Sequence, residues 1–446
     1  MMMAATLGTK PQARIVLLLP TEGYRAEAFF DAASALNVEV VVATEHPPPL
    51  ATEMEGRLVD VDFDRPEVSA AKIAALAERV PVDAVVGVDD QGVLTAAHAS
   101  ELLGLADNPP DAVAATRDKV EMRSVLKAWA VPQPEFRVAD SDADIASLAA
   151  FVGLPCVVKP ISLSASTGVI RADTPDDAAL VAQRVRRILV THDRPGDELL
   201  LVEHFVAGAE VSIEGLLRHG ELEVLALFDK PDPLNGPYFE ETIYVTPSRL
   251  SVAQQNAVIE VAAAGCHALG LREGPVHAEV RVGNDTTDTQ PAVWLLEVAA
   301  RSIGGLCSRV LRFGAGVSLE EVILRHALGL DTGQLTRFTG GPAGRGSAGV
   351  MMLPIPRSGL LVEFAGVEAA AAVEGIVGVE ITARPGRLIQ ALPEGGRYLG
   401  FVFARRDTPA LVEASLRQAH AALEINIIDV PRPVGAAMGS GRTRRG

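Results

Sequence analysis

Runs of apolar residues alternate with amphipathic segments along the first hundred residues of the chain. Three runs are almost continuously apolar and predict buried strands: Arg14–Leu19, Val38–Ala43 and Asp83–Val88. Three amphipathic segments predict the helices between them: Glu22–Leu36, Ala70–Val80 and Val93–Leu103. This alternation predicts a parallel sheet that helices cover on both faces. Such a sheet binds ligands beyond the carboxyl ends of its strands, and Asp89 and Asp90 follow one of these ends.

After Asn108-Pro109-Pro110 the pattern changes to one typical of an α+β domain with a large antiparallel sheet. A single helix is predicted over Asp111–Ala130, where Val131-Pro132 ends it. Two further helices are predicted at Ile145–Val152 and Val252–Leu269. The predicted strands are one near Phe136, then Cys156–Lys159, Leu199–Glu203, Glu210–Leu217, Leu222–Phe228, Val276–Val282 and Val293–Val298.

The last hundred residues predict a smaller α+β unit. Its strands are expected at Ser347–Leu353 and Val377–Ile381, and its helix at Pro409–Leu423. These patterns divide the chain into residues 1–113, 114–340 and 341–430. The segment 431–446 is rich in Pro, Gly, Ser and Arg, and we expect a disordered tail there.

Composition limits the class of partner. The chain has 446 residues, of which 48% are hydrophobic, and a formal net charge of −17. This acidic balance argues against nucleic acid as a partner, because a phosphate backbone needs a basic surface. No apolar run is long enough for a membrane span. Three widely spaced cysteines imply no disulfide framework, so a cytoplasmic location is the simpler interpretation.

A loop of small hydroxyl residues follows the strand that ends at Lys159. Its backbone N–H groups and hydroxyls, with the lysine charge, suit a polyphosphate, although the Walker A pattern is absent. A serine-rich hairpin turn would have the same composition, so the loop alone leaves both interpretations open. The loop residues concerned are Ser162, Ser164, Ser166, Thr167 and Gly168. The turn after the first strand contains a single glycine, Gly23, which makes a dinucleotide-binding domain improbable.

Two pairs of glutamates end or begin predicted strands. Glu203 and Glu210 flank Ala207-Gly208 and are interpreted either as nucleoside-binding groups or as solvent-facing turn residues. Glu279 alternates with apolar neighbours, and Glu297 ends an apolar run on the next strand. If these strands pair, the two carboxylates approach each other and require a cation, for which Mg²⁺ is suited. The alternative is a solvated face with a cross-strand pair between glutamate and arginine.

The ordered set of these motifs resembles the ATP-grasp superfamily from about Asp89 to Arg312. Within it, the chain is similar to amino-acid ligases of the bacilysin-synthetase type, which join two amino acids. That narrower resemblance rests on the segments Tyr238–Thr242, His277–Arg281, Leu296–Gly305 and Gly349–Ile427. The resemblance implies an ATP-grasp fold with three parts. These are a Rossmann-like N-terminal domain (1–113), an ATP-grasp domain (114–340) with a lid at about 132–205, and a C-terminal ligase subdomain (341–430).

The resemblance also implies a role for each candidate residue. The nucleotide side would have phosphate-binding lysines, a lid loop, and adenine and ribose contacts: Lys119, Lys159, Ser162–Gly168, Val202, Glu203 and Glu210. Glu279 and Glu297 would hold Mg²⁺, or Mn²⁺ in its place, and Arg301 with Lys159 would be catalytic. The substrate side would be formed by His277, Arg281, Arg301, Gly304, Gly305, Lys230 and Glu241.

The activity implied by the resemblance is ATP-dependent ligation of a carboxylic acid to an amine through an acyl phosphate, with release of ADP and phosphate. The alternatives are a carboxylase-type or purine-pathway ATP-grasp enzyme and a non-catalytic nucleotide-binding module. Ala299 stands where many ATP-grasp enzymes have an asparagine metal ligand, so the number of metal ions is open. The expected partners are small-molecule carboxylate and amine substrates. A homodimer is also expected, because dimers are the commonest soluble homo-oligomers.

Overall fold

A computed structural model of the chain describes residues 13–21, 23–45, 57–284, 291–313, 316–333, 335, 337 and 346–430. The segment 431–446 predicted to be a disordered tail lies outside the described residues. Among the helices in the described part of the chain, none is long and apolar enough to cross a membrane.

The first sheet confirms the predicted parallel sheet at the N-terminus. Its strand order is β3-β2-β1-β4, and all of its pairs are parallel. Residues 15–18 of the central strand are fully buried, because helices cover both faces. The elements are β1 (Arg14–Leu18), α1 (Ala26–Ala35), β2 (Glu39–Thr44), β3 (Leu58–Asp60), α2 (Pro66–Ala77), β4 (Ala84–Gly87) and α3 (Asp90–Leu103).

The second sheet is antiparallel and small, and we refer to it and its two helices as the lid. Its strand order is β5-β8-β6-β7. The helices pack on one face of the sheet and form a separate apolar core. The elements are β5 (Phe136–Ala139), α6 (Ile145–Val152), β6 (Cys156–Pro160), β7 (Ile170–Ala172), α7 (Pro175–Thr191) and β8 (Leu200–His204).

The third sheet has eight antiparallel strands in the order β13-β12-β9-β10-β11-β14-β18-β16. It crosses the division predicted at residues 340/341, because β11 pairs with β14 from the C-terminal part. The predicted limit at residues 340/341 is therefore not a boundary of this sheet, and the other domain limits stay predictions. The strands are β9 (Gly208–Arg218), β10 (Glu221–Lys230), β11 (Ile243–Thr246), β12 (Gly274–Gly283), β13 (Val293–Ala299), β14 (Ser347–Met352), β16 (Ile376–Ile381) and β18 (Gly400–Arg406).

The remaining elements join these layers. A three-stranded sheet in the order β17-β15-β19 lies at the C-terminus. Its strands are β15 (Gly359–Ala365), β17 (Leu388–Ile389) and β19 (Glu424–Ile428). The other helices are α4 (Pro110–Arg117), α5 (Lys119–Ala128), α8 (Val252–Leu269), α9 (Leu319–Ala327), α10 (Val367–Ala371), α11 (Pro409–Ala421) and the short 3-10 helix Cys307–Val310.

The single helix predicted over Asp111–Ala130 is wrong, because Asp118 divides it into α4 and α5. The Asp118 backbone is extended, and its Oδ1 accepts hydrogen bonds from Val120 N at 2.8 Å and Glu121 N at 3.0 Å. Aspartate is favoured at such a helix N-cap because it satisfies free backbone N–H groups. Lys119 therefore begins α5, and its Nζ donates to the carbonyl oxygen of Leu163 at 2.7 Å.

A half-buried carboxyl group lies where α3 joins the rest of the molecule. Asp107 accepts hydrogen bonds from Asn108 N at 2.7 Å and Ser100 Oγ at 2.9 Å. The Asn108 side chain in turn bonds the backbone of Arg272 and Glu273, which precede β12. Burial raises the pKa of Asp107 to about 6, although both hydrogen bonds lower it.

We expect Asp107→Asn to change how stability depends on pH. The folded carboxyl holds its proton up to about pH 6, whereas an ordinary aspartate ionises near 3.8. The folded state therefore binds more protons within this window, and the parent loses stability relative to the variant as the pH rises through it. The difference should reach about 1–3 kcal/mol at neutral pH. Urea denaturation across this range measures it, and a constant difference would contradict the prediction.

Candidate active site

Two adjoining cavities lie between the lid, the eight-stranded sheet and the N-terminal sheet. The first cavity lies under the lid, and its lining includes Lys119, Lys159 and the segment 203–206. The second cavity lies between the N-terminal sheet and the C-terminal part. Both cavities are lined by the same six residues, which therefore form their boundary: Ser164, Ala165, Ser166, Glu241, Glu279 and Glu297.

The first cavity has a buried ion triad at its wall. Glu203 bonds Arg123 Nε, and its Oε2 lies 2.6 Å from Lys159 Nζ. Burial alone would raise the pKa of Glu203, but the charges of Arg123 and Lys159 lower it to about 2. Both oxygens of the Glu203 carboxylate are therefore paired within the protein. A contact with the adenine of a nucleotide would be made by the backbone instead. Val202, predicted to share that contact, lies fully buried in the lid core.

A second ionic cluster surrounds the buried Lys230. Its Nζ lies 2.8 Å from Glu210 Oε1 and 2.6 Å from Glu279 Oε1, and it also bonds Glu241. Glu210 Oε2 accepts from Arg281 Nε at 2.8 Å, so both of its oxygens are paired. Lys230 was predicted on the substrate side, but it is buried and lines neither of the two cavities. Burial and the charge of Glu279 raise the pKa of Glu241 to about 7, although Lys230 lowers it.

The predicted pairing of Glu279 with Glu297 is confirmed by the strand register. The two residues are direct partners across β12 and β13, next to a β-bulge. Both side chains line both cavities. An oxygen-only donor pair of this kind fits a hard divalent cation such as Mg²⁺. Ala299, two residues later, pairs with His277 and contributes no side-chain oxygen.

Arg301 is held by an aspartate of the N-terminal part. Its Nε lies 2.7 Å from Asp90 Oδ1, and its Nη2 lies 2.9 Å from Asp90 Oδ2. Burial would lower the pKa of Arg301, but the Asp90 charge raises it, so the guanidinium stays charged. Asp90 also orients it through this two-point contact. The predicted substrate residues Gly304 and Gly305 line the same cavity.

The predicted phosphate loop is only partly directed into the cavities. Ser164 and Ser166 line both cavities, together with Ala165, which sequence reasoning missed. Ser162 instead donates its hydroxyl to Glu198 at 2.6 Å, outside the cavities. Thr167 and Gly168 face the C-terminal part of the chain.

The two predicted substrate residues of β12 open onto different cavities. His277 lines the second cavity, whereas Arg281 lines the first. The His277 ring Nδ1 lies 2.6 Å from Glu214 Oε1. Burial would lower the pKa of His277, but Glu214 and Glu279 raise it to about 9. These two carboxylates therefore favour the protonated form of the imidazole.

Sequence reasoning missed two groups of the second cavity, Arg25 and Tyr398, and gave no specific role to a third, Asp89. Arg25 is almost fully buried and donates to Val88 O at 3.1 Å and Ser302 Oγ at 2.7 Å. Asp89 lines the cavity beside it, and Tyr398 closes the cavity from the C-terminal part. The only sequence signal was the position of Asp89 after a buried strand, because the other contacts join residues distant along the chain.

Comparisons with known proteins agree with this architecture. Three family models match successive parts of the chain: the ATP-grasp N-terminal domain over residues 30–106, the ATP-grasp domain over 152–310, and the L-amino acid ligase C-terminal domain 2 over 351–427. The L-amino acid ligase from Bacillus licheniformis has a similar fold, with a TM-score of 0.74 at 24% identity. That match covers 94% of this chain and 100% of the ligase.

Curated relatives are distant. Alanine–anticapsin ligase from Bacillus subtilis is 26% identical over 284 residues, which cover 59% of this chain and 58% of the relative. Protein y4rH from Sinorhizobium fredii is 26% identical over 319 residues, covering 71% of this chain and 63% of the relative. Dapdiamide A synthase from Enterobacter agglomerans is 27% identical, and the match covers 71% of this chain and 76% of the relative. The chain thus spans about six tenths of the first two relatives.

The fold and the paired carboxylates between two cavities define an ATP-grasp protein. The chain belongs to the ATP-grasp superfamily. Its C-terminal residues 351–427 match the L-amino acid ligase C-terminal domain 2.

We expect Lys159→Ala to weaken ATP binding by about 10- to 100-fold, because one charge-assisted contact in the first cavity is lost. Isothermal titration with ATP measures the affinity. Lys72→Ala is the matched control, since Lys72 contacts only the exposed Asp60 carbonyl oxygen at 2.8 Å among the contacts described. An unchanged affinity in Lys159→Ala, with an intact melting transition, would remove this lysine from the nucleotide site.

Proposed function

We propose that the chain is an ATP-dependent carbon–nitrogen ligase. It would join the carboxylate of an amino acid or a similar acid to the amine of a second amino acid. The observation that carries this proposal is the boundary between the cavities, where Glu279 and Glu297 face both spaces. A phosphoryl group bound there would meet a nucleotide on one side and an acid on the other.

The first cavity fits ATP in charge and position. Lys119 and Lys159 lie along it, and the hydroxyl residues Ser164 and Ser166 cover it. Mg²⁺, or Mn²⁺, would be held by Glu279 and Glu297, and it would neutralise the phosphate charge.

The reaction would proceed in two steps. The substrate carboxylate attacks the γ-phosphorus of ATP, which forms an acyl phosphate and releases ADP. The amine then attacks the acyl carbon, phosphate leaves as the C–N bond forms, and the amine loses a proton. Arg301, oriented by Asp90, would stabilise the transferring phosphoryl group. The lid residues 164–166 would keep water from the acyl phosphate.

The second cavity supports amino acids as the substrate class. It combines cationic Arg301 and His277 with acidic Asp89, so it can receive both a carboxylate and an ammonium group. The relatives' names point the same way, since alanine–anticapsin ligase and D-alanine–D-alanine ligase are among them.

Product analysis tests the proposal directly. We expect ADP and inorganic phosphate only when an acid and an amine are supplied together, because the acyl phosphate stays protected until the amine arrives. A phosphate-release screen over pairs of the common amino acids, with mass spectrometry for the amide, provides the measurement. AMP and pyrophosphate would indicate adenylation instead. ADP release that requires bicarbonate but no amino acid would favour a carboxylase-type enzyme, and ATP binding without any turnover would favour a binding module.

We expect Glu297→Gln to lower turnover on the order of 100-fold or more, because the neutral amide is a poor ligand for the metal that aligns the phosphates. Initial rates of ADP release at saturating ATP measure this. Glu221→Gln is the matched control, since Glu221 is exposed on β10, which belongs to the same sheet. A near-normal rate in Glu297→Gln would exclude the paired-carboxylate metal site.

A further inference from the structure

A turn of the C-terminal part contacts both the lid and the second cavity. We refer to Ala391–Tyr398 as the clasp turn. It is closed on itself, because Glu394 N and Gly395 N both donate to the carbonyl oxygen of Ala391, at 3.2 Å and 3.1 Å. Pro393 and Gly395 are buried within it. The turn is therefore a defined structure that presents separate faces to its neighbours.

One face of the clasp turn meets the lid loop. The Pro393 carbonyl oxygen accepts a hydrogen bond from Gly168 N at 2.9 Å. A Cβ atom added to Gly396 would lie 2.4 Å from Thr167 Oγ1 and 3.1 Å from the Ala165 Cβ. The loop and the turn are thus packed so closely that only glycine fits at position 396 when the loop is in this position.

The clasp turn also holds helix α7 of the lid. Glu394 Oε1 accepts hydrogen bonds from Arg184 Nε at 2.9 Å and Arg184 Nη2 at 2.7 Å. The Glu394 carbonyl oxygen lies 2.7 Å from His192 Nε2. Arg184 further donates to the Tyr238 hydroxyl at 2.6 Å. The lid is therefore held at two places, by its loop and by its long helix.

The end of the clasp turn lines the second cavity. Gly396, Arg397 and Tyr398 are part of its wall, which also includes the lid residues Ser164 and Ser166. A substrate in this cavity would therefore contact the same turn that holds the lid.

We propose that Glu394 and Gly396 are positioning residues, which hold the lid loop closed over the boundary of the two cavities when substrates are bound. The proposal rests on the proposed ligase function. Closure would keep water from the acyl phosphate until the amine attacks it. The clasp turn thus links occupation of the second cavity to protection of the intermediate in the adjoining space.

The contacts allow lid closure to be separated from folding. The side chains of Arg184 and Glu394 are 37% and 30% exposed, and such ion pairs contribute little to global stability. The backbone of Gly396 lies outside the left-handed region, so alanine is conformationally allowed there. The added methyl group conflicts only with the lid loop among the contacts described, and opening the loop relieves that conflict.

The experiment compares Gly396→Ala with a matched control, Gly378→Ala. A Cβ at Gly378 in β16 would meet Phe403 at an ordinary 3.4 Å. A second series consists of Glu394→Arg, Arg184→Glu and the double variant, in which the charges are exchanged. Two quantities are measured: hydrogen exchange of the backbone amides of residues 162–168 with ATP and Mg²⁺ present, and the ratio of ADP released to amide formed.

We expect Gly396→Ala and Glu394→Arg to raise both the exchange rate and the ratio of ADP to amide by at least about threefold, as the lid opens more often. The double variant should return both towards the parent values, which a merely structural role of Glu394 would not predict. Equal values for Gly396→Ala and Gly378→Ala would overturn the proposal. If the parent protein forms no amide with any pair of acid and amine, the proposed ligase function is wrong. The hydrogen-exchange comparison of Gly396→Ala with Gly378→Ala still tests whether the clasp turn holds the lid loop.

Discussion

The proposed active site depends on the ion pairs that the buried ammonium group of Lys230 makes with three glutamates. The ammonium group lies among the carboxylates of Glu210, Glu241 and Glu279, which come from β9, β12 and the segment before β11. Three carboxylates so close together would repel strongly in a buried site, and the ammonium of Lys230, which contacts all three, offsets that repulsion. Arg281 and His277 add further contacts to Glu210 and Glu279. Glu241 and Glu279 line both cavities. The boundary between the proposed nucleotide and substrate cavities therefore depends on the positive charge of a buried lysine, Lys230.

The local pattern of the sequence predicted the features that depend on neighbouring strands. Period-two alternation singled out Glu279, and the end of an apolar run singled out Glu297. Their approach was predicted on the condition that the two strands pair, and the register of β12 with β13 has this pairing. Helix α7 was missed, although Thr174 as its N-cap and Pro175 as its first residue are typical start signals. Arg301 with Asp90 could not be predicted, because 211 residues separate them and only the packing of the N-terminal sheet brings them together.

The net charge of −17 is compatible with an anionic ligand because the charges are unevenly placed. Two of the cations that line the first cavity have carboxylate partners, in the Lys159–Glu203 and Arg281–Glu210 pairs, whereas Lys119 donates to the carbonyl oxygen of Leu163. These partners fix the cations in position, so little conformational entropy is lost when a phosphate arrives. The same pairing prevents an excess of buried positive charge in the absence of a ligand. Much of the acidic surplus at the site thus serves to hold cations in place.

All three parts of the chain contribute to one proposed reaction centre. Asp90 of the N-terminal part orients Arg301, the middle part supplies Glu279 and Glu297, and Glu394 of the C-terminal part contacts the lid. A ligase can use an acyl phosphate only if water is excluded from the site from the moment the intermediate forms. A site divided among three parts meets this need, because the groups for phosphoryl transfer and for lid closure are complete only when all parts are docked. The eight-stranded sheet, which continues from β11 into β14, fixes the middle and C-terminal parts relative to each other.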